Sequence, residues 1–325
     1  MDLLVRHPEK WEQLYSCSYM NASAWANEGT PNLLLGTFYL LVGTTFIILY
    51  ALCIAVMCQK KIRGHSCLKI MIQIGAMDMA NLLVNSVYTG YLTMTGAVYC
   101  SAPLMQYFAG SYIFYVWTNS SISSVLLSID RACELLFPLR MEQIFGGYRI
   151  YIWLGFSHLY SLWFAWYTPS PSYSTKKYAW FFDPYFGIDS IPVDRSNYES
   201  MPHTIHNIGI AVVFTIVYIV HFSTLWWKTR HSTSAAMGKT RKNLFIQSMS
   251  ICTLNFSACV CYVVIERFPA PKWIMVVTHA LWVGCNCGPV IIYLTLNKTI
   301  QHAFLKTFFP RKNKVTSATG SRTFA

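Results

Sequence analysis

Seven apolar runs divide this chain, at about Leu33 to Cys58, Ile70 to Thr93, Pro103 to Ile129, Ile150 to Tyr167, His203 to Trp227, Leu244 to Glu266 and Trp273 to Leu296. Each approaches or exceeds the roughly 20 residues that a helix needs to cross a hydrocarbon core. Inside lipid a segment must satisfy its own backbone N–H and C=O groups, so runs of this length have to be helical. The expected fold is an all-α membrane protein, a seven-transmembrane helix bundle over residues 33–296. Composition agrees: 54% of the 325 residues are hydrophobic and 12% are charged, where a soluble domain carries about 25% charged.

An odd number of spans puts the two termini on opposite sides, and Lys and Arg decide which. Lys60, Lys61, Arg63 and Lys69 follow the first span, Arg131, Arg140 and Arg149 the third, and Lys228, Arg230, Lys239, Arg241 and Lys242 the fifth. Lys298, Lys306, Arg311, Lys312, Lys314 and Arg322 follow the last. The other set of segments holds only Arg6, Lys10, Lys176, Lys177, Arg195, Arg267 and Lys272. This bias places the C-terminus and Arg131 in the cytosol and residues 1–32 outside, as an extracellular tail. Acids lean to the outer side, as a consistency check. The net charge of +12 is scattered between apolar runs, so no continuous basic face forms and nucleic acid is not an expected partner.

Met1 to Lys10 holds no apolar core longer than Leu3-Leu4-Val5, so no cleavable signal peptide is expected and the first span directs insertion. Asn21-Ala22-Ser23 is a glycosylation sequon on the outer tail, and the other sequons fall inside spans or in the cytosol, so only Asn21 is expected to carry sugar. Residues 297–325 are read as cytosolic. In them Ile300, Ala303, Phe304 and Phe308 fall at helical spacing beside Lys298 and Lys306, which predicts a short amphipathic helix on the anionic leaflet. From Lys312 the chain reads as a disordered tail.

Of 11 cysteines only Cys17 and Cys100 lie on the outer side, where oxidation is possible, and a bridge between them is expected. Cys259 and Cys261, like Cys285 and Cys287, point to different faces of a helix at their spacing, which argues against metal binding. His203 and His206 share a face but have no clear third ligand, so a polar role at the membrane edge is the expectation.

Asp78 is the one acid well inside a span, with Asn81, Asn85, Ser120 and Asn286 at matching depth. An ionisable group there needs partners or a neutral state. Two readings stand: a hydrogen-bonded network that fixes helix packing, or a small cation site, a sodium ion or a proton, whose occupancy changes with conformation. No other cofactor and no metal is expected. Pro289 in the seventh span removes a backbone donor and should bend the helix just before Tyr293. The third span spans about 42 Å from Pro103 to Arg131, and the always-charged guanidinium must sit where that helix leaves the hydrocarbon.

Seven spans, an outer N-terminus, a cysteine at the head of the third span, Asp130-Arg131 at its foot, an intramembrane acid in the second and a proline in the seventh together resemble a G-protein-coupled receptor. More narrowly, Ser18-Tyr19-Met20-Asn21, Trp180-Phe181-Phe182-Asp183-Pro184, Phe245-Ile246-Gln247-Ser248 and Ile292-Tyr293-Leu294-Thr295-Leu296-Asn297 are similar to the class T serpentine chemoreceptors of nematodes. The resemblance implies a plasma-membrane receptor, in a sensory neuron cilium, that binds an extracellular ligand and activates a heterotrimeric G protein. Two departures matter. The loop from Thr168 to His203 has no cysteine, so the usual staple to the third span is impossible and Cys17 takes that place. The inner end of the sixth span has no acid, so Asp130 or Glu134 would have to hold Arg131, with Pro289 and Tyr293 as further switch residues.

Gly110, Ile113, Phe114 and Trp117 recur at helical spacing on the outer half of the third span and, with His279 and Trp282, are the pocket candidates. For Trp117 and Trp282, helix packing is the competing role. These residues carry no formal charge, so a small apolar or volatile ligand is expected rather than an amine, with a peptide as the alternative that the long, aromatic-rich loop from Thr168 to His203 allows. A transporter or channel is the alternative class, but neither inverted repeats nor paired interrupted helices are visible. An intramembrane enzyme would need clustered His and acids at one depth, and only Asp78 is deep.

Overall fold

The computed structural model describes residues 1–60, 64–231, 239–268 and 270–309. Three short helices, α1 (Asp2–Arg6), α2 (Pro8–Tyr15) and α3 (Ala22–Glu28), precede the first long one, α4 (Leu33–Met57). The second span begins as α5 (Ser66–Leu82), passes through a π-helical turn at Leu83–Tyr88 and continues as α6 (Thr89–Thr95). The third is α7 (Pro103–Leu136), followed by the short α8 (Pro138–Phe145) and the fourth span α9 (Arg149–Tyr167). A hairpin of β1 (Ser172–Ser174) and β2 (Ala179–Phe181) leads to α10 (Met201–His231), α11 (Lys239–Arg267), α12 (Lys272–Leu296) and α13 (Lys298–Phe308).

Among the described residues five helices are long and apolar enough to cross a membrane: α4, α5 with α6, α10, α11 and α12. The third and fourth expected spans, α7 and α9, are just as helical. Serine, threonine and asparagine dilute α7, and tryptophan and tyrosine dilute α9. In α7 many of those polar groups are buried against other helices rather than offered to lipid.

Helix ends follow local chemistry. Pro103 opens α7 at the first turn, where a missing N–H costs nothing. Phe137 stands before Pro138 in a non-helical conformation, φ -135° and ψ 61°, and stops it. The helix runs past Ile129 because Asp130, Arg131 and Glu134 pair along its last turns. The Asn32 and Asn21 side chains cap α4 and α3. Asn21 accepts from Ala24 N–H at 2.9 Å and is exposed. The helices α4 and α6 touch backbone to backbone: a Cβ on Gly36 would stand 2.6 Å from the Gly90 carbonyl oxygen, so only glycine permits this crossing.

In α13, Ile300 is buried, Ala303 and Phe304 are half-buried and Phe308 is exposed. The disordered tail expected from Lys312 lies outside the described residues.

One end of the bundle is capped. Cys17 and Cys100 form a disulfide with Cα atoms 5.6 Å apart. Trp25 Nε1–H donates to the Cys17 carbonyl, and Tyr185 and Tyr198 donate to the Ser16 and Leu14 carbonyls at 2.6 Å each. The bridge closes a long segment, with a sequence separation of 83. Cys17→Ser is expected to destabilise the fold by about 2–5 kcal/mol. Alkylation of the wild-type chain before reduction, read by mass spectrometry, should find both thiols blocked, and a thiol free in the mature protein would refute this pairing.

Candidate functional site

The β1–β2 hairpin is buried and lies across the capped end of the bundle. Its strands pair antiparallel, with Tyr173 opposite Trp180. The Tyr173 hydroxyl bonds Thr93 at 2.6 Å, and Trp180 Nε1–H donates to Thr89 Oγ1 at 3.0 Å, so both reach down to the second span. Gln106 of α7 accepts from Tyr173 N–H at 2.9 Å and donates to the Val98 carbonyl. With no cysteine in this loop, hydrogen bonds and aromatic packing hold it in place.

Beneath the hairpin is a small aromatic cavity. Ile113, Phe114 and Trp117 come from α7, Pro171, Trp180 and Phe182 from the hairpin segment, and His203 and Asn207 from α10. Tyr262 and Glu266 of α11 and Trp282 of α12 close it. Trp117 and Trp282 stand nearly perpendicular with centroids 6.2 Å apart, and Tyr262 and Trp282 likewise at 5.3 Å. The free space within it is ≈ 30 Å³, room for only one or two water molecules.

Above it lies a wider polar vestibule of ≈ 520 Å³, and Phe182 and Glu266 border both spaces. Its ion pairs are Asp183 with Arg195 at 2.7 Å and Glu199 with Arg267 at 3.0 Å. Burial raises the Asp183 carboxyl above its ordinary range, while the Tyr185 N–H and Arg195 pull it back.

Two sequence-based candidates belong elsewhere. Gly110 is not on the cavity wall but under the loop backbone, where a Cβ would stand only 1.9 Å from the Pro171 carbonyl oxygen. His279 lies behind Trp282: Nε2–H donates to the Asn85 carbonyl at 2.9 Å, and Nδ1 lies 3.2 Å from the Tyr262 hydroxyl. It ties α12 and α11 to the π turn of the second span. Nor is the wall uncharged, because Glu266 reaches it, with His203 beside it. His203 and His206 diverge, His206 bonding Tyr160 of α9 at 2.9 Å. The usable signal in the sequence was His203 and Asn207 at helical spacing, on one face of α10.

Deeper, Asp78 is fully buried. Ser120 Oγ–H donates to its Oδ1 at 2.7 Å, and the Tyr50 hydroxyl lies 2.9 Å from its Oδ2 and 2.7 Å from the Asn286 carbonyl. Asn81 donates to Asn286 Oδ1 at 3.0 Å, and Asn286 donates to the Trp282 carbonyl at 2.8 Å, so this cluster touches the cavity floor. Tyr50 was not visible as a partner from sequence, since a tyrosine in an apolar run carries no mark of depth or direction. The Asn81 Oδ1, both Asn85 side-chain atoms and the Tyr293 hydroxyl have no protein partner among the described residues.

At the far end Asp130 is buried, receiving Ser66 Oγ–H at 2.6 Å and Arg131 Nε–H at 3.1 Å. The same guanidinium pairs with Glu134. Pro289 lies within α12, which continues through it to Leu296, and Tyr293 is buried one turn later.

A model of serpentine-type seven-transmembrane chemoreceptors, Srt, matches residues 4–317. The chain belongs to this family of G-protein-coupled receptors. It is also similar to serpentine receptor class T-55 of Caenorhabditis elegans, 25% identical over 294 residues that cover 90% of this chain and 79% of that protein. The protein is therefore a membrane chemoreceptor of the serpentine type, and its family is one of receptors, not enzymes.

Proposed function

We propose that this chemoreceptor takes a small extracellular ligand into the aromatic cavity beneath the hairpin and answers by freeing Arg131 for a heterotrimeric G protein. The observation that carries the reading is the position of Trp282: it forms the cavity wall and, through its carbonyl, accepts from Asn286 of the buried polar cluster. A ligand that moves this residue therefore acts on the core between the two ends. To shift the equilibrium it must bind the active state better by a few kcal/mol, about 5.5 kcal/mol for a full reversal. The cavity walls are chiefly aromatic, so the body of the ligand is apolar.

In this reading the tail with its disulfide and a glycan on Asn21 faces outward, in the plasma membrane of a sensory cilium. Arg131 and α13 face the cytosol, with α13 lying along the leaflet. Cyclic AMP and calcium imaging in cells expressing the chain, with volatile and water-soluble odorants, tests it. A response that requires a G protein supports the receptor, and one that persists with G proteins blocked points to a channel or transporter.

Asp78 serves as a cation-dependent element of the same switch. One hydroxyl proton cannot serve both oxygens that face Tyr50. A proton or a sodium ion held at the Asp78 carboxylate leaves Tyr50 to donate to Asn286, with Ser120 and Asn81 Oδ1 as further oxygen donors. Ligand affinity is expected to depend on sodium or pH in wild type and to lose that dependence in Asp78→Asn. Affinity indifferent to both in wild type would remove the cation and leave a packing network.

A further inference from the structure

The hydrogen bonds leading to Glu266 fix the charge that the cavity presents. An indole nitrogen can only donate, so Trp117 Nε1–H, 3.4 Å from Asn207 Oδ1, orients that amide. Asn207 then turns its nitrogen to His203 Nε2 at 3.0 Å, which must be the ring nitrogen without a proton. The proton sits on Nδ1 and is donated to Glu266 Oε2 at 3.1 Å. The relay ends on a carboxylate, and the imidazole beside it is neutral. Among the described residues no lysine or arginine lines the cavity. Arg267, the next residue along, is turned to Glu199.

Around this carboxylate stand Phe114, Trp117, Trp180, Phe182, Tyr262 and Trp282. Aromatic faces are negative and attract cations, best when alkyl groups spread a charge that is already weakly hydrated. A carboxylate beside an aromatic box repels an anion, and a neutral guest leaves its charge to His203 alone. Only a cation satisfies both.

We propose that the ligand of this cavity is a small organic cation, a protonated amine or quaternary ammonium whose alkyl groups contact the rings and whose charge meets Glu266. The proposal rests on the ligand-pocket reading above and names its chemical class. The guest enters from the vestibule between Phe182 and Glu266, the two side chains that border both spaces. Because the cavity is so small, entry opens the Glu266–His203 hydrogen bond and hands the carboxylate to the guest.

The test is direct binding to the purified full chain in lipid nanodiscs by calorimetry. The probes are tetramethylammonium, choline and the neutral isostere of choline in which carbon replaces the quaternary nitrogen. Choline is expected to bind at least about tenfold tighter than its isostere, and Glu266→Gln to remove that preference. Glu266→Asp should keep part of it, and Glu142→Gln, exposed near the far end of the bundle, should keep all of it. If Glu266→Gln does not fold, the wild-type ratio of choline to isostere and the Glu266→Asp variant still decide. Equal affinity for choline and isostere, a preference that survives in folded Glu266→Gln, or no saturable binding of either cation up to about 10 mM overturns the proposal. The readout does not involve a G protein. A chain that signals to uncharged odorants while choline binds no better than its isostere refutes the ammonium and leaves the receptor standing.

Discussion

Arg131→Ala is expected to abolish G-protein signalling while also lowering the amount of folded receptor. The two effects have separate causes. The Arg131 side chain is 9% exposed and its partner Asp130 is not exposed at all. Removing the guanidinium leaves a buried carboxylate with Ser66 as its remaining partner, and an orphaned buried charge of this kind costs about 3–5 kcal/mol. Asp130→Asn should relieve that cost. The double variant Asp130→Asn/Arg131→Ala is thus expected to return to near wild-type surface level and still give no signal. Asp130→Asn alone weakens the hold on Arg131, and its ligand-free activity should rise. Surface labelling beside a cyclic AMP or calcium readout separates these outcomes. A double variant that signals normally would show that Arg131 is only a structural counter-charge.

Gly110→Val is expected to have the largest effect of any change near the cavity, although it adds only apolar atoms. The new Cβ would meet the Pro171 carbonyl oxygen at 1.9 Å, a backbone atom that no rotamer change can move. Either the hairpin lifts or α7 shifts, at a cost of about 3 kcal/mol, and lifting the hairpin carries Trp180 and Phe182 away from the cavity. The thermal midpoint should fall by several degrees and ligand binding should weaken at least about tenfold. Gly155→Ala is the control, because a Cβ there meets nothing within 4 Å. A Gly110→Val receptor with unchanged melting and binding would mean that the hairpin does not sit on α7 in the working protein.

Among the described residues the seven long helices lie within about five residues of the apolar runs that mark them, except that α7 runs on to Leu136, because lipid leaves the backbone no other way to satisfy its hydrogen bonds. Their ends are equally local matters, set by Pro103, by Phe137 before Pro138 and by capping asparagines. Cys17 and Cys100 are singled out by elimination and are joined in the fold. Asp130 and Glu134 are the acids nearest Arg131 in sequence, and both pair with it.

The cavity was only partly legible. Ile113, Phe114, Trp117 and Trp282 line it, whereas Gly110 supports the hairpin and His279 anchors the π turn. Glu266 and His203 looked like edge residues and became the polar wall. Nothing in the sequence announced the π turn or Tyr50 as the partner of Asp78. The sequence by itself determined which segments are helices, where they stop and which residues pair within a turn or through the one available disulfide. Only the tertiary structure decided which side chains share the cavity, because that depends on how far each helix is rotated about its axis. In lipid that rotation is set by packing, small-residue contacts and interhelical hydrogen bonds, none of which local sequence contains.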